Sequence, residues 1–322
     1  QAKNYGHFLK KLSTTYYASV IGKDFRRELP MPADLAVMLS KDFADVLHTL
    51  SKGLTGRVRE FTQSYLDMYL AESLKSIIRG VHAELDANEI LRYMVPTSDE
   101  QAEVFSELLE SATTVVDLIE SLPYEGAKRA LSASLPAYEE FGSTAPLEVA
   151  LEEWFLGRIR DALEAFGEDD QERVYRVLET RVVLKNALDV LRALSLAIVD
   201  RIIALSMVQF TSSSDKITES LVLAKSWNEV FDVLESTKYR DIGERLRRIY
   251  DRKRDLVEVE IALEDYLAQT IKNLFTLDPF NLGIVYGFFS LKYLEIKNIQ
   301  SIAVGIERGE SANVIRNMIT IW

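Results

Sequence analysis

The chain has 322 residues, with 48% hydrophobic and 27% charged side chains and no cysteine. Those proportions belong to a globular protein that buries a sizeable core, and they exclude disulfide staples, thiol nucleophiles and thiolate metal ligands. The net charge of −12 is concentrated, since residues 99–170 hold 18 acidic against 4 basic side chains; such a balance opposes the basic face that nucleic-acid binding requires.

From the start, residues 1–11 are polar, so no targeting peptide is expected in this stretch. An opening Gln1 where an initiator Met would stand reads as trimming or processing. Residues 5–28 read as an opening helix. Gly53 with Gly56, and later Gly305 with Gly309, read as helix ends. From Leu151 the apolar positions Trp154, Phe155, Ile159, Ala162, Leu163 and Phe166 lie on one face of a 3.6-residue helix, with Gly167 as its expected stop. Asp169-Asp170-Gln171-Glu172-Arg173 then reads as a solvated turn. Residues 188–210 have the length of a membrane span, but Asp189, Arg192, Asp200 and Arg201 interrupt them, so a buried helix is expected and no direct membrane insertion.

Residues 240–254 form a basic cluster containing Arg245, Arg247 and Arg248. The ordinary reading is a solvated helix face; the functional one is a patch that docks a protein partner.

The pattern of residues 151–163 returns 112 positions later. Leu263, Tyr266, Leu267, Ile271, Leu274 and Phe275 take the places of Leu151, Trp154, Phe155, Ile159, Ala162 and Leu163, and Lys297-Asn298 falls on Lys185-Asn186. Upstream, Val116-Asp117-Leu118-Ile119-Glu120-Ser121 resembles Phe231-Asp232-Val233-Leu234-Glu235-Ser236. A weaker third copy comprises Ala44-Asp45-Val46-Leu47 and the block from Ser73 to Gly80, in which Ser73 aligns with Asn186 and Asn298. We therefore expect an all-α fold of three similar helical repeats, over residues 1–103, 104–215 and 216–322. Such copies either stack in a row or close around an axis. At the recurring polar positions Ser73, Asn186 and Asn298, each side chain either fixes helix register through a buried hydrogen bond or lines an inner wall that receives a partner.

Signals for catalysis are weak. His7, His48 and His82 lack metal-ligand spacing, no phosphate-binding glycine loop is present, and the one approach to an aspartate-rich diphosphate motif has Arg173 in an acid's place. No catalytic residue, cofactor site or metal site is assigned.

Residues 278–322, DPFNLGIVYGFFSLKYLEIKNIQSIAVGIERGESANVIRNMITIW, resemble the closing segment of the C subunit (the d subunit of eukaryotes) of archaeal and vacuolar-type rotary ATPases. The run Glu295-Ile296-Lys297-Asn298, followed by an apolar helix and a glycine-containing loop, carries most of the likeness. Asn186 departs from it, being preceded by Lys185 and Leu184 instead of acids, and Ser73 departs again. The resemblance implies a non-catalytic, funnel-shaped subunit with three helical subdomains about a pseudo-threefold axis. Its implied partners are the D and F subunits of the central stalk on one side and the membrane proteolipid ring on the other. Its implied work is to transmit rotation for proton or sodium transport coupled to ATP synthesis or hydrolysis, in the cytoplasm and peripheral to the membrane. The alternatives are a helical-repeat adaptor for an unrelated protein partner and a helical enzyme.

Overall fold

The computed structural model describes residues 4–21, 30–92, 94–197, 200–276 and 281–320, and every regular element among them is a helix. The chain divides into two compact units, residues 1–135 with 292–319, and residues 136–291 with 320–322.

The first unit opens with α1 (Tyr5–Leu12) and α2 (Ala18–Ile21), in place of the one continuous helix expected over residues 5–28. The Ser13, Thr14 and Thr15 hydroxyls donate to the Lys10, Lys11 and Leu12 carbonyls and close α1 early; residues 22–29 lie outside the described residues. Next come α3 (Pro32–Gly53) and α4 (Gly56–His82), packed together. Gly56 has φ +56°, the left-handed backbone that a tight reversal between two long helices requires. α5 (Ala87–Arg92), α6 (Asp99–Ser111), α7 (Val115–Ser121) and α8 (Glu125–Phe141) follow. Side chains announce these helices: Ser98 accepts the Gln101 N–H, and Thr114 and Asp117 satisfy each other's backbone amides in a capping box. Pro136, which has no N–H to give the helical ladder, stands inside α8 where the division between units falls.

The second unit contains α9 (Ala145–Leu163), α10 (Glu168–Ser195), α11 (Asp200–Leu205), α12 (Ser212–Leu223), α13 (Trp227–Glu235), α14 (Arg240–Lys253) and α15 (Leu256–Lys272). α10 packs against α12, α13 and α15. Val183, Ala187, Val190, Leu191, Leu221, Phe231, Leu246 and Leu263 form its core, fully or almost fully removed from water. Each of the valine, leucine and phenylalanine side chains contributes roughly 1.5–3 kcal/mol of transfer free energy, which is why the apolar stripes decide the packing. α16 (Leu282–Glu307) starts in the second unit and ends in the first, where α17 (Ala312–Asn317) follows it.

Several sequence expectations need correcting here. Gly167 does not stop α9; it is the extended N-cap residue of α10. The acidic run after it is no loop but the first turn of α10, where negative charge suits the helix dipole. Asp170 from that turn accepts the Leu282 N–H at 2.8 Å and so caps α16. Residues 188–210 are not one buried helix either: α10 ends at Ser195, Ala197 takes a left-handed φ of 52°, and Leu196 is exposed. Residues 198–199 and the side chains of Asp200 and Arg201 lie outside the described residues. No helix among those described is long and apolar enough to cross a membrane. The pair Gly305 and Gly309 does mark a helix end: Gly305 lies in the last turn of α16 and its carbonyl accepts the Glu310 N–H, while Gly309, just past the end, has φ +73°.

Candidate functional site

The three longest helices are α4, α10 and α16, of 27, 28 and 26 residues, and each is followed by a six-residue helix. The polar positions singled out in the sequence sit near the middle of these long helices. Asn186, buried on α10, brackets one residue of the chain 22 positions ahead. Its Nδ2 donates to the Val208 carbonyl at 2.8 Å, and its Oδ1 accepts the Val208 N–H at 3.1 Å. The same Nδ2 donates to Thr218 Oγ1 at 2.9 Å on α12. Ser73, buried on α4, does the same with one atom: Oγ accepts the Val95 N–H at 3.3 Å and donates to the Val95 carbonyl at 3.4 Å, again 22 positions ahead. The same interval from Asn298, half-buried on α16, leads to Thr320, which is buried.

A second interval repeats. Seven residues after Ser73 stands Gly80, where a Cβ would lie 2.4 Å from Ile90 Cγ1; seven after Asn298 stands Gly305, where a Cβ would lie 2.7 Å from Ile315 Cγ1. The matching pair in α10 and α11 is Ala193 and Ile203, both buried in one core. A small residue on the long helix thus lets the isoleucine of the short helix close on it in α4 and α16.

The segment gripped by Asn186 is held along its length. Gln209 N–H donates to Glu153 at 2.8 Å, Phe210 N–H to Asp215 at 2.9 Å and Thr211 N–H to Ser214 at 3.0 Å. Burial raises the Glu153 carboxyl above its ordinary pKa despite the Gln209 amide. Glu179 adds contacts of 2.5 Å to the Thr211 hydroxyl and the Lys238 ammonium.

The three arginines expected to form a docking patch are unequal. Arg247 is turned into its own unit, with Nη2 2.6 Å from Asp232, Nε 2.8 Å from Glu235, and its guanidinium carbon 5.6 Å from the Phe231 ring centroid. Arg245 reaches Asp265 on α15 at 2.8 Å. Arg248 alone of the three is held loosely, 3.7 Å from Glu244 one turn earlier, and its side chain is 69% exposed.

Two clusters escaped the sequence reading. Lys292 on α16 donates to Tyr17 Oη at 2.7 Å and to Glu295 at 3.1 Å, with its Nζ 4.4 Å and 4.9 Å from the Tyr17 and Tyr16 ring centroids. In the second unit, the Arg181 guanidinium lies 3.3 Å from the buried Glu152 and 5.3 Å from the Phe155 ring. No sequence pattern marks either, because the Tyr17–Lys292 and Glu152–Arg181 partners lie 275 and 29 positions apart. Neither arrangement couples a nucleophile to a base, and among the described residues no group of three or more His, Asp or Glu could hold a metal ion.

Against known families, the chain matches the ATP synthase (C/AC39) subunit family over residues 1–318. The chain belongs to that family. Its relatives in the ATP synthase (C/AC39) subunit family include the C subunit of the A-type ATP synthase of Halorubrum lacusprofundi, 29% identical over 290 residues, covering 88% of this chain and 79% of the relative. Proteins of the same name from Methanocaldococcus jannaschii and Methanosphaera stadtmanae are 22% and 24% identical, over 91% and 85% of this chain and 73% and 70% of their own lengths. In this family member the buried polar side chains of Ser73 and Asn186 hold one segment of the chain to another.

Proposed function

We propose that this chain is a non-catalytic subunit of an A-type ATP synthase that joins the D and F subunits of the central stalk to the membrane proteolipid ring and passes rotation between them. The observation that carries this reading is the family match along nearly the whole chain, to relatives named as the C subunit of A-type ATP synthases. In it the three long helices, each with its polar position and its short following helix, head three related subdomains, over residues 1–103, 104–215 and 216–322, arranged as a funnel about a pseudo-threefold axis. Rotational coupling asks for a stiff body, and the buried Asn186 carboxamide, bonded to both backbone groups of Val208 and to Thr218, supports this reading. The protein is peripheral to the membrane, bound through the complex. Of Arg245, Arg247 and Arg248, Arg248 is the best placed to meet a partner.

The test is size-exclusion chromatography of this chain mixed with the D–F pair. Comigration at micromolar concentration is expected; separate elution would overturn the socket role and favour a helical adaptor with another partner.

A further inference from the structure

The two gripped segments differ in how firmly they are held. In the first, between α5 and α6, Val95 is bonded by a single hydroxyl at 3.3 and 3.4 Å. The next residue, Pro96, has no N–H, and Thr97 N–H donates to the Gln101 side chain at 2.8 Å. In the second, between α11 and α12, Val208 is bonded by both ends of a carboxamide at 2.8 and 3.1 Å, and that carboxamide is fixed in turn by Thr218. Where the first has Pro96 the second has Gln209, whose N–H is taken by Glu153. A hydroxyl that must donate and accept with one oxygen makes two longer bonds; a carboxamide separates donor and acceptor and matches a peptide's own spacing.

We propose that these segments are joints of graded stiffness, the Ser73–Val95 joint opening far more readily than the Asn186–Val208 joint, so that deformation of the chain is taken up first at residues 94–98. The inequality concerns the chain alone. Its consequence for torque, that twist is absorbed at the first joint, rests on the linker reading.

Amide hydrogen exchange on the full chain tests it. Corrected for intrinsic rates, the Val95 amide is expected to exchange at least roughly tenfold faster than that of Val208. Asn186→Ser, which installs the hydroxyl of the first joint in the second, should speed exchange at Val208 by about tenfold and leave Val95 unchanged. Ser73→Ala should speed Val95 by a smaller factor. Equal protection at Val95 and Val208 in the unsubstituted chain would overturn the proposal, and that comparison stands even where a variant fails to fold. Unequal joints in a chain that does not comigrate with the stalk proteins would preserve the joints and remove the linker role.

Discussion

Arg247 donates through Nε to Glu235 at 2.8 Å, across the turn that reverses the chain between α13 and α14. Its second bond, to Asp232, is to a carboxylate open to solvent and therefore screened, whereas Glu235 is partly sheltered and the Phe231 ring lies against the guanidinium. Arg247→Ala should lower unfolding free energy by about 1–2 kcal/mol, most of it from the Glu235 and Phe231 side. Arg248→Ala should change it by less than about 0.5 kcal/mol. Denaturant unfolding of both variants gives the comparison. Equal effects would mean that Arg247 contributes no more to the fold than an open surface charge. Docking is therefore best probed by charge reversal at Arg248, which leaves the helix hairpin intact.

Gly80 and Ile90 make a second separable prediction. Adding a Cβ at Gly80 places it 2.4 Å and 2.5 Å from two Ile90 side-chain atoms. Overpacking of that kind costs about 1–3 kcal/mol, against a gain of about 1 kcal/mol from replacing glycine inside a helix. Gly80→Ala should thus be net destabilising, and combining it with Ile90→Ala should give a loss well below the sum of the two single changes. In α10 the matching position is already Ala193, so Ala193→Gly should lose about 1 kcal/mol of helix propensity without relieving any clash. Additive effects at 80 and 90 would show that the close approach carries no energy.

How much of this could be read in the sequence depends on where the signal sits. Helical class followed from apolar spacing, because burying one face of a helix leaves a 3.6-residue stripe in the chain. Asn186 was conspicuous because an amide among apolar residues demands a partner. Its partner was hidden, since Val208 contributes backbone groups, which every residue has and no side chain advertises. The misreading of Gly167 and of Asp169 and Asp170 has one cause: glycine and acids occur both in loops and at helix N-termini, and only the start of α10 settles which. Arg247 looked like its exposed neighbours because its acids, Asp232 and Glu235, belong to another helix.

Alkaline pH should act through buried tyrosines. Burial, followed by the nearby Glu307 and Asp34 charges, pushes the Tyr5 phenol up to about 12, and burial pushes Tyr239 up to about 12; Tyr17 is raised further still, by burial and Glu295. In the unfolded chain a tyrosine loses its proton near 10. Each of these groups therefore contributes stability that is complete below about pH 10 and is lost as pH rises toward and through 12. Burial also raises Tyr69, Tyr124, Tyr175, Tyr266 and Tyr286, so phenolate absorbance should show a large wave delayed well beyond pH 10 that coincides with loss of helical circular dichroism. A single wave near pH 10 with helicity intact would contradict the burial of these rings.

Lys292 ties the start of the chain to α16, and the strength of that tie is predictable from its parts. Its ammonium is mostly shielded, bonds the Tyr17 hydroxyl at 2.7 Å and Glu295 at 3.1 Å, and lies near the Tyr16 and Tyr17 rings. Lys292→Met keeps the stem's apolar contacts but removes the charge, leaving the buried Tyr17 hydroxyl without its bond to the ammonium. The loss should be about 1–3 kcal/mol and local, since α3 and α4 pack directly against each other. Limited proteolysis should then cut preferentially within residues 13–21 while the rest of the chain resists. Tyr17→Phe should produce a smaller increase in the same cleavage, because it removes the hydroxyl bond and keeps a ring for the ammonium. Were Lys292→Met to leave the cleavage pattern unchanged, the N-terminal helices would have to be held by their other contacts, the apolar burial of Leu9, Leu12, Tyr17 and Ile21 and the Tyr5 hydrogen bond to the Pro30 carbonyl.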